Sequence, residues 1–73
     1  MNINATLRDW DLHYDFSAVQ EWYYLSGRIY DDISTRFLNG TFVKTSRIKS
    51  IDFNKMIAIT ENSVYKLKDR KAN

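Results

Sequence analysis

The densest set of side chains able to do chemistry lies in Asp9-Trp10-Asp11-Leu12-His13-Tyr14-Asp15, where three carboxylates and the chain's single histidine recur at every second position. In an extended strand alternate side chains project from one face, so Asp9, Asp11, His13 and Asp15 would share a side. Carboxylate oxygens with a neutral imidazole suit zinc, manganese or iron. A solvated strand face also needs a polar residue at every second position, and no second histidine joins the set. The expectation is therefore no metal and no cofactor, with these four residues as the one candidate metal set.

Two further sets invite a chemical reading. Trp22, Tyr23, Tyr24 and Tyr30 with Arg28, Lys44, Arg47, Lys49 and Lys66 combine flat rings with phosphate-seeking cations, the means by which small barrels hold single-stranded nucleic acid. Ser26, Thr45, Ser46 and Ser63 offer hydroxyls that His13 could activate, but no nucleophile elbow, phosphate loop or paired-carboxylate motif accompanies them. The hydroxyls of Thr45 and Ser46 are better placed to satisfy backbone groups at a bulge. The chain is not expected to be an enzyme. The residues marked for interaction are Tyr23, Arg28, Tyr30, Arg47 and Lys49.

The elements that must position these side chains are strands. From Arg8 to Phe16 the residues alternate, with Trp10, Leu12, Tyr14 and Phe16 on the apolar parity, which predicts a strand buried on one face. Ser17-Ala18-Val19-Gln20 has the form of a capping box and allows one short helical turn. Glu21 to Tyr30 predicts a second strand, with Trp22 and Tyr24 facing one way and Tyr23, Leu25 and Ile29 the other. Gly27 inside it marks a bulge or a close backbone approach, and a bend that lets one strand serve two sheets.

Asn39-Gly40 predicts a hairpin turn opening into a long strand from Thr41 to Ile51, whose apolar parity shifts near Thr45-Ser46-Arg47, as a bulge would make it. Met56 to Thr60 is nearly all apolar and reads as a central strand, and Val64 to Lys68 as a last alternating one. Trp10, Leu12, Leu25, Ile48, Ile57 and Ile59 are the expected structural residues. Residues 1–68 read as a single β domain, and 69–73 as a frayed charged tail. The fold class expected is all-β, with at most one helical turn, as a small antiparallel barrel or rolled sheet of SH3-like size.

The run Leu25-Ser26-Gly27-Arg28-Ile29-Tyr30, then Arg36-Phe37 with Asn39-Gly40-Thr41, Thr45-Ser46-Arg47-Ile48, Ile51-Asp52, Thr60 with Asn62-Ser63, and Tyr65-Lys66-Leu67 resembles a group of small bacterial and phage proteins of unknown function. The shared pattern looks like L-x-G-x-x-Y, R-F-x-D/N-G-T, T-S-x-I and Y-x-L, and covers roughly residues 7 to 67. Asn62-Ser63 stands where a glycine turn is commoner. The resemblance implies a bacterial or mobile-element origin and a compact β fold, and it implies no activity.

Composition narrows the class. A chain of 73 residues has room for one domain, and an aromatic share of 15% within 44% hydrophobic residues supplies the large rings a small core depends on. No cysteine is present, so disulfides and thiolate zinc sites are excluded and a reducing, cytoplasmic setting is expected. No stretch reaches the roughly 20 apolar residues of a membrane span, so no membrane association is expected. Charge is uneven: residues 1–35 carry two basic against six acidic side chains, a balance of −4, and residues 36–73 carry nine against three, +6. Acidic and basic halves with many large aromatics suit docking on another protein, in an accessory or inhibitory role, or on a second copy as a homodimer. Nucleic acid is the alternative partner.

Overall fold

A computed structural model describes residues 2–16 and 22–72. Along them lie six strands: β1 (Ala5–Asp15), β2 (Trp22–Tyr30), β3 (Thr41–Lys44), β4 (Ile48–Asp52), β5 (Ile57–Thr60) and β6 (Val64–Leu67). No helix occurs among the described residues, and the fold is all-β. The capping-box turn expected at Ser17–Gln20 lies outside the described residues.

The strands form one sheet in the order β3-β2-β1-β6-β5-β4. All neighbours are antiparallel except β1 and β6, which pair in parallel through Ala5 with Tyr65, Thr6 with Lys66 and Leu7 with Leu67. The expected antiparallel sheet is corrected at that one pairing. Following the pairings, β3 and β4 point the same way although they sit at opposite ends of the order, and only Thr45-Ser46-Arg47 joins them. Three residues and their flanking bonds reach roughly 14 Å, whereas the edges of a flat six-stranded sheet would stand roughly 24 Å apart. The sheet must therefore roll, and β3 and β4 are two halves of one kinked strand. The bulge predicted at Thr45–Arg47 is thus a full break, and this break, not Gly27, is where one run of chain serves both ends of the sheet.

Thr45 fixes the break. Its N–H donates to Leu25 O at 2.7 Å, its Oγ1 accepts the Leu25 N–H at 2.9 Å and donates to Ser46 O at 2.8 Å. Arg47 O then accepts the Glu61 N–H, and Ser46 Oγ the Asn62 N–H, so the chain has changed partners within two residues. The hydroxyls of Thr45 and Ser46 serve the backbone, as their position in the sequence suggests.

Gly27 answers a bulge in the facing strand. Between the pairs Arg8–Arg28 and Asp11–Ser26, the two residues Asp9 and Trp10 oppose Gly27 alone, and Asp9 takes a φ of 50°. The extra residue moves the buried parity of β1 from Ala5 and Leu7 to Trp10 and Leu12. A Cβ on Gly27 would stand 2.9 Å from both Arg8 O and Leu7 Cγ, so only glycine lets β1 bulge toward β2 here.

The core is Ala5, Leu7, Trp10, Leu25, Ile29, Ala58, Tyr65 and Leu67, with Leu12, Val43, Ile48, Ile51 and Met56 packed against it. Ile57 and Ile59 are half-buried on the outer side of β5, which lies inside the sheet between β4 and β6. Asn39-Gly40 forms a turn in which Thr41 N–H donates to Leu38 O and Gly40 alone of the two takes positive φ, at 89°. It closes the loop over 31–40 that joins the antiparallel strands β2 and β3, so the hairpin there has a long connection and not a two-residue one.

Residues 68–71, after β6, are docked, so the charged stretch expected to fray is held in place as far as Lys71. Trp10 N–H donates to Asp69 O, Trp10 Nε1 to Lys68 O at 2.9 Å, and Lys71 N–H to Trp10 O at 2.8 Å. The Arg70 guanidinium lies 5.2 Å over the indole and Arg8 pairs with Asp69 at 3.0 Å. The β1 bulge ends the ladder with β6 at Leu7, and these contacts carry the pairing past it.

Candidate functional site

The strand–break–strand arrangement leaves a V between two edges. Below it Thr45 ties the kinked strand to Leu25; above it Trp22–Tyr24 of β2 and Ile48–Asp52 of β4 diverge, because β4 has turned away to pair with β5. In the V opens a groove of about 350 Å³ lined by Leu12, Tyr23, Ile48, Lys49, Ile51 and Phe53. Its floor is core: Leu12, Ile48 and Ile51 are half-buried side chains that touch the buried cluster.

The apolar surface continues out of the groove. Tyr14 pairs with Tyr23 across β1 and β2, their rings 4.9 Å apart, and Phe16 lies 5.9 Å from Tyr14. These positions follow Leu12 and Leu25 on the inward face, but the β1–β2 ribbon runs past the end of the other strands and nothing among the described residues covers it. Tyr14 is 40% exposed, Tyr23 51%, Phe53 59% and Phe16 74%. Alternation in β1 therefore predicts the inward face correctly and its burial only as far as Leu12.

The five residues marked for interaction divide. Tyr23 and Lys49 meet in the groove. Arg28 and Tyr30 face the opposite side of β2, where the Arg28 guanidinium lies 5.8 Å over Phe42 and donates to Gly40 O, and Arg8 lies 5.7 Å over Tyr30. Arg28 there lines a separate cleft of about 380 Å³ with Asp9, Phe42, Lys71 and Ala72. Arg47 sits in the break, exposed, its carbonyl taken by Glu61. Leu12, Ile48, Ile51 and Phe53 complete the groove; an aromatic residue between the polar Asp52 and Asn54 is the one sequence signal that could have marked Phe53.

The candidate metal set does not assemble. The bulge takes Asp9 out of the alternation and beside Arg28, while Asp11 accepts the Leu12 N–H and lies 3.8 Å from Arg70. His13 stacks on Tyr24 at 5.0 Å and its Nε2 is 2.6 Å from Ser26 Oγ. Among the described residues no group of three or more His, Cys, Asp or Glu is placed to hold a metal ion. The His13–Ser26 pair is the one nucleophile-and-base contact of the set considered, but Ser26 is 5% exposed, so its hydroxyl is closed to a substrate.

Asp32 is the organising residue of the β2–β3 connection. Its carboxylate accepts the N–H and the hydroxyl of Ser34 and the N–H groups of Arg36 and Phe37. The Ser34 hydroxyl, then the backbone N–H groups of Ser34 and Phe37 and the Arg36 charge, hold its pKa below the ordinary carboxylate value against the opposing effect of desolvation. The Asp-x-Ser spacing of Asp32 and Ser34 is the local signal for such a turn.

Comparison with family models, curated proteins and solved structures yields no match, so the class is defined by geometry: a small all-β rolled sheet with an apolar groove at its open end. No helix of the described residues is long and apolar enough to cross a membrane.

Proposed function

We propose that this chain is a small non-catalytic protein-binding module that docks through the groove of Leu12, Tyr23, Ile48, Lys49, Ile51 and Phe53 and the Tyr14–Phe16 surface beside it. One observation carries this reading: the exposed aromatic side chains of Tyr14, Phe16, Tyr23 and Phe53 form a surface continuous with a groove whose floor is core, whereas the other exposed large hydrophobics, Ile3, Ile33, Phe37, Leu38 and Phe42, do not line that groove. Rigid aromatic anchors beside a pocket are the composition of protein-interface hot spots. The resemblance to small bacterial and phage proteins and the absence of cysteine support an accessory or inhibitory role in a bacterial cytoplasm.

The test is capture from nuclease-treated bacterial lysate with the chain and with its Tyr23→Ser/Phe53→Ser variant. Both side chains are largely exposed, so the variant keeps its fold, checked by its melting temperature. The reading predicts a protein retained by the native chain and lost by the variant; equal capture by both would refute it.

The alternative is single-stranded nucleic acid on the outer face, where Arg8, Arg28 and Phe42 align across β1, β2 and β3 beside Tyr30. Arginines already cover the Tyr30 and Phe42 rings, which weakens this reading, since a base would have to displace them. Binding to oligonucleotides that falls steeply with salt and is lost in Arg8→Ala/Arg28→Ala would favour it over the groove.

A further inference from the structure

The geometry points to strand addition as the mode of docking: an extended, acidic and apolar peptide segment pairs with the open edge of β4 as a seventh strand and lays alternate side chains in the groove. This rests on the protein-binding reading and specifies the kind of segment bound.

The backbone of β4 is poised for it. Leu67 N–H donates to Met56 O and Thr60 N–H to Ser63 O, so Met56, Ala58 and Thr60 turn their backbone groups toward β6. By the alternation of an antiparallel ladder, Ile57 and Ile59 turn theirs toward β4, where they meet Asp52 and Ser50. Ile51, between those two, directs its N–H and C=O to the other edge, on which no strand lies among the described residues. An exposed edge of this kind is a template for another chain unless it is blocked. No proline blocks it; the register shift between Ile48 and Ser50 confines regular pairing to Ser50–Asp52, and the one charge on the groove side, Lys49, would pair with an acidic residue of the incoming strand.

The groove and the charge select the segment. A strand laid along β4 shares faces with it, so its residue opposite Ile51 enters the groove between Leu12, Tyr23 and Phe53, and its neighbours two positions away do likewise. The run from Lys44 to Lys55 carries Lys44, Arg47, Lys49 and Lys55 against Asp52, and all five side chains are exposed, a local balance of +3 along the edge. That balance favours Asp and Glu in the incoming strand. It disfavours a second copy of this chain, because pairing β4 with β4 would bring two such edges together. The other edge strand, β3, has four residues, and the cleft near it is lined by Asp9, Arg28 and Lys71 instead of apolar side chains.

The experiment is selection from a displayed library of random dodecapeptides on the native chain, with the Tyr23→Ser/Phe53→Ser variant as counter-selection. The best binder is then synthesised with each backbone nitrogen methylated in turn. Strand addition predicts enriched peptides that alternate apolar with Asp or Glu, at least tenfold weaker binding when alternate nitrogens are methylated, and at least tenfold slower exchange of the Ile51 amide at saturation. Enriched peptides of helical spacing, binding indifferent to N-methylation, or an Ile51 amide that exchanges as before would overturn it. So would a selection that enriches nothing. In each of those cases the lysate capture above decides separately whether the surface binds protein at all, because it does not require a linear segment.

Discussion

Gly27→Ala is the sharpest probe of how the sheet is built. The new Cβ would stand 2.9 Å from Arg8 O and Leu7 Cγ and 3.2 Å from Trp10 Cα, so backbone must move and not merely a side-chain tip. Overpacking of this kind costs about 1–3 kcal/mol. The loss of chain entropy in the unfolded state returns about 0.4–1 kcal/mol, for a net destabilisation of roughly 0.5–2 kcal/mol. In a domain of this size that lowers the melting temperature by roughly 3–15 °C. Gly40 is the control, since a Cβ there meets only Tyr30 Oη at 3.6 Å while φ is 89°, so its cost is conformational. Gly40→Asn should therefore recover part of what Gly40→Ala loses, because asparagine tolerates positive φ. Gly27→Asn should be worse than Gly27→Ala. Urea titration of the four variants, with a common slope, measures this; a Gly27→Ala midpoint at or above that of the native chain would refute the close approach of β1 and β2 at the bulge.

Other perturbations follow from the same contacts. Leu7→Ala, at a fully buried position, should cost about 2–5 kcal/mol, and Ile57→Ala, half-buried on the outer face, clearly less by the same titration. Thr45→Val leaves the Leu25 N–H without its side-chain acceptor and should cost about 1–3 kcal/mol, whereas Ser46→Ala, removing a 3.3 Å contact at the surface, should cost well under that. The folded-state pKa of Asp32 is depressed, so its contribution is complete above the unfolded-state value of about 3.9 and is lost as pH falls through the lower folded value. The acid limb of the native stability profile should flatten in Asp32→Asn, which should also melt lower at neutral pH; superimposable profiles would refute the role given to this carboxylate. Ending the chain at Lys68 should red-shift the fluorescence of Trp10 and lower stability, because it removes the Asp69 and Lys71 backbone bonds and the Arg70 cover.

Much of this architecture is legible in the chain because it is local. Alternation marks β1, β2 and β6, the parity of Tyr23, Leu25 and Ile29 is the inward parity of β2, and Gly27 announces a close approach. The failures are of a different kind. A parity shift between Val43 and Ile48 is equally consistent with a bulge and with a change of partner, and only the pairing of β4 with β5 distinguishes them. Alternation says which way Tyr14 and Phe16 point but not that the sheet ends beneath them. The site suffers most from this: Tyr23 and Lys49 are far apart in sequence, and their meeting depends on the break that local patterns leave ambiguous. Asp9 fails for a related reason, since one inserted residue in β1 turns a shared face into two.

The parallel pairing of β1 with β6 also sets the order in which the chain can be completed. β1 is the strand next to the middle of the sheet, and its Ala5–Leu7 stretch meets Tyr65–Leu67 sixty residues later. On the ribosome, β1 and β2 can form their ladder as soon as they emerge, yet the far side of β1 stays bare until β3, β4, β5 and β6 have followed. During that interval the buried faces of Ala5 and Leu7 and one row of peptide groups are open to any other nascent strand. Loop closure over such a span slows folding relative to a meander of the same length. Vulnerability to mispairing during synthesis is therefore built into the strand order, and conditions that slow elongation should expose it before any loss of equilibrium stability is seen.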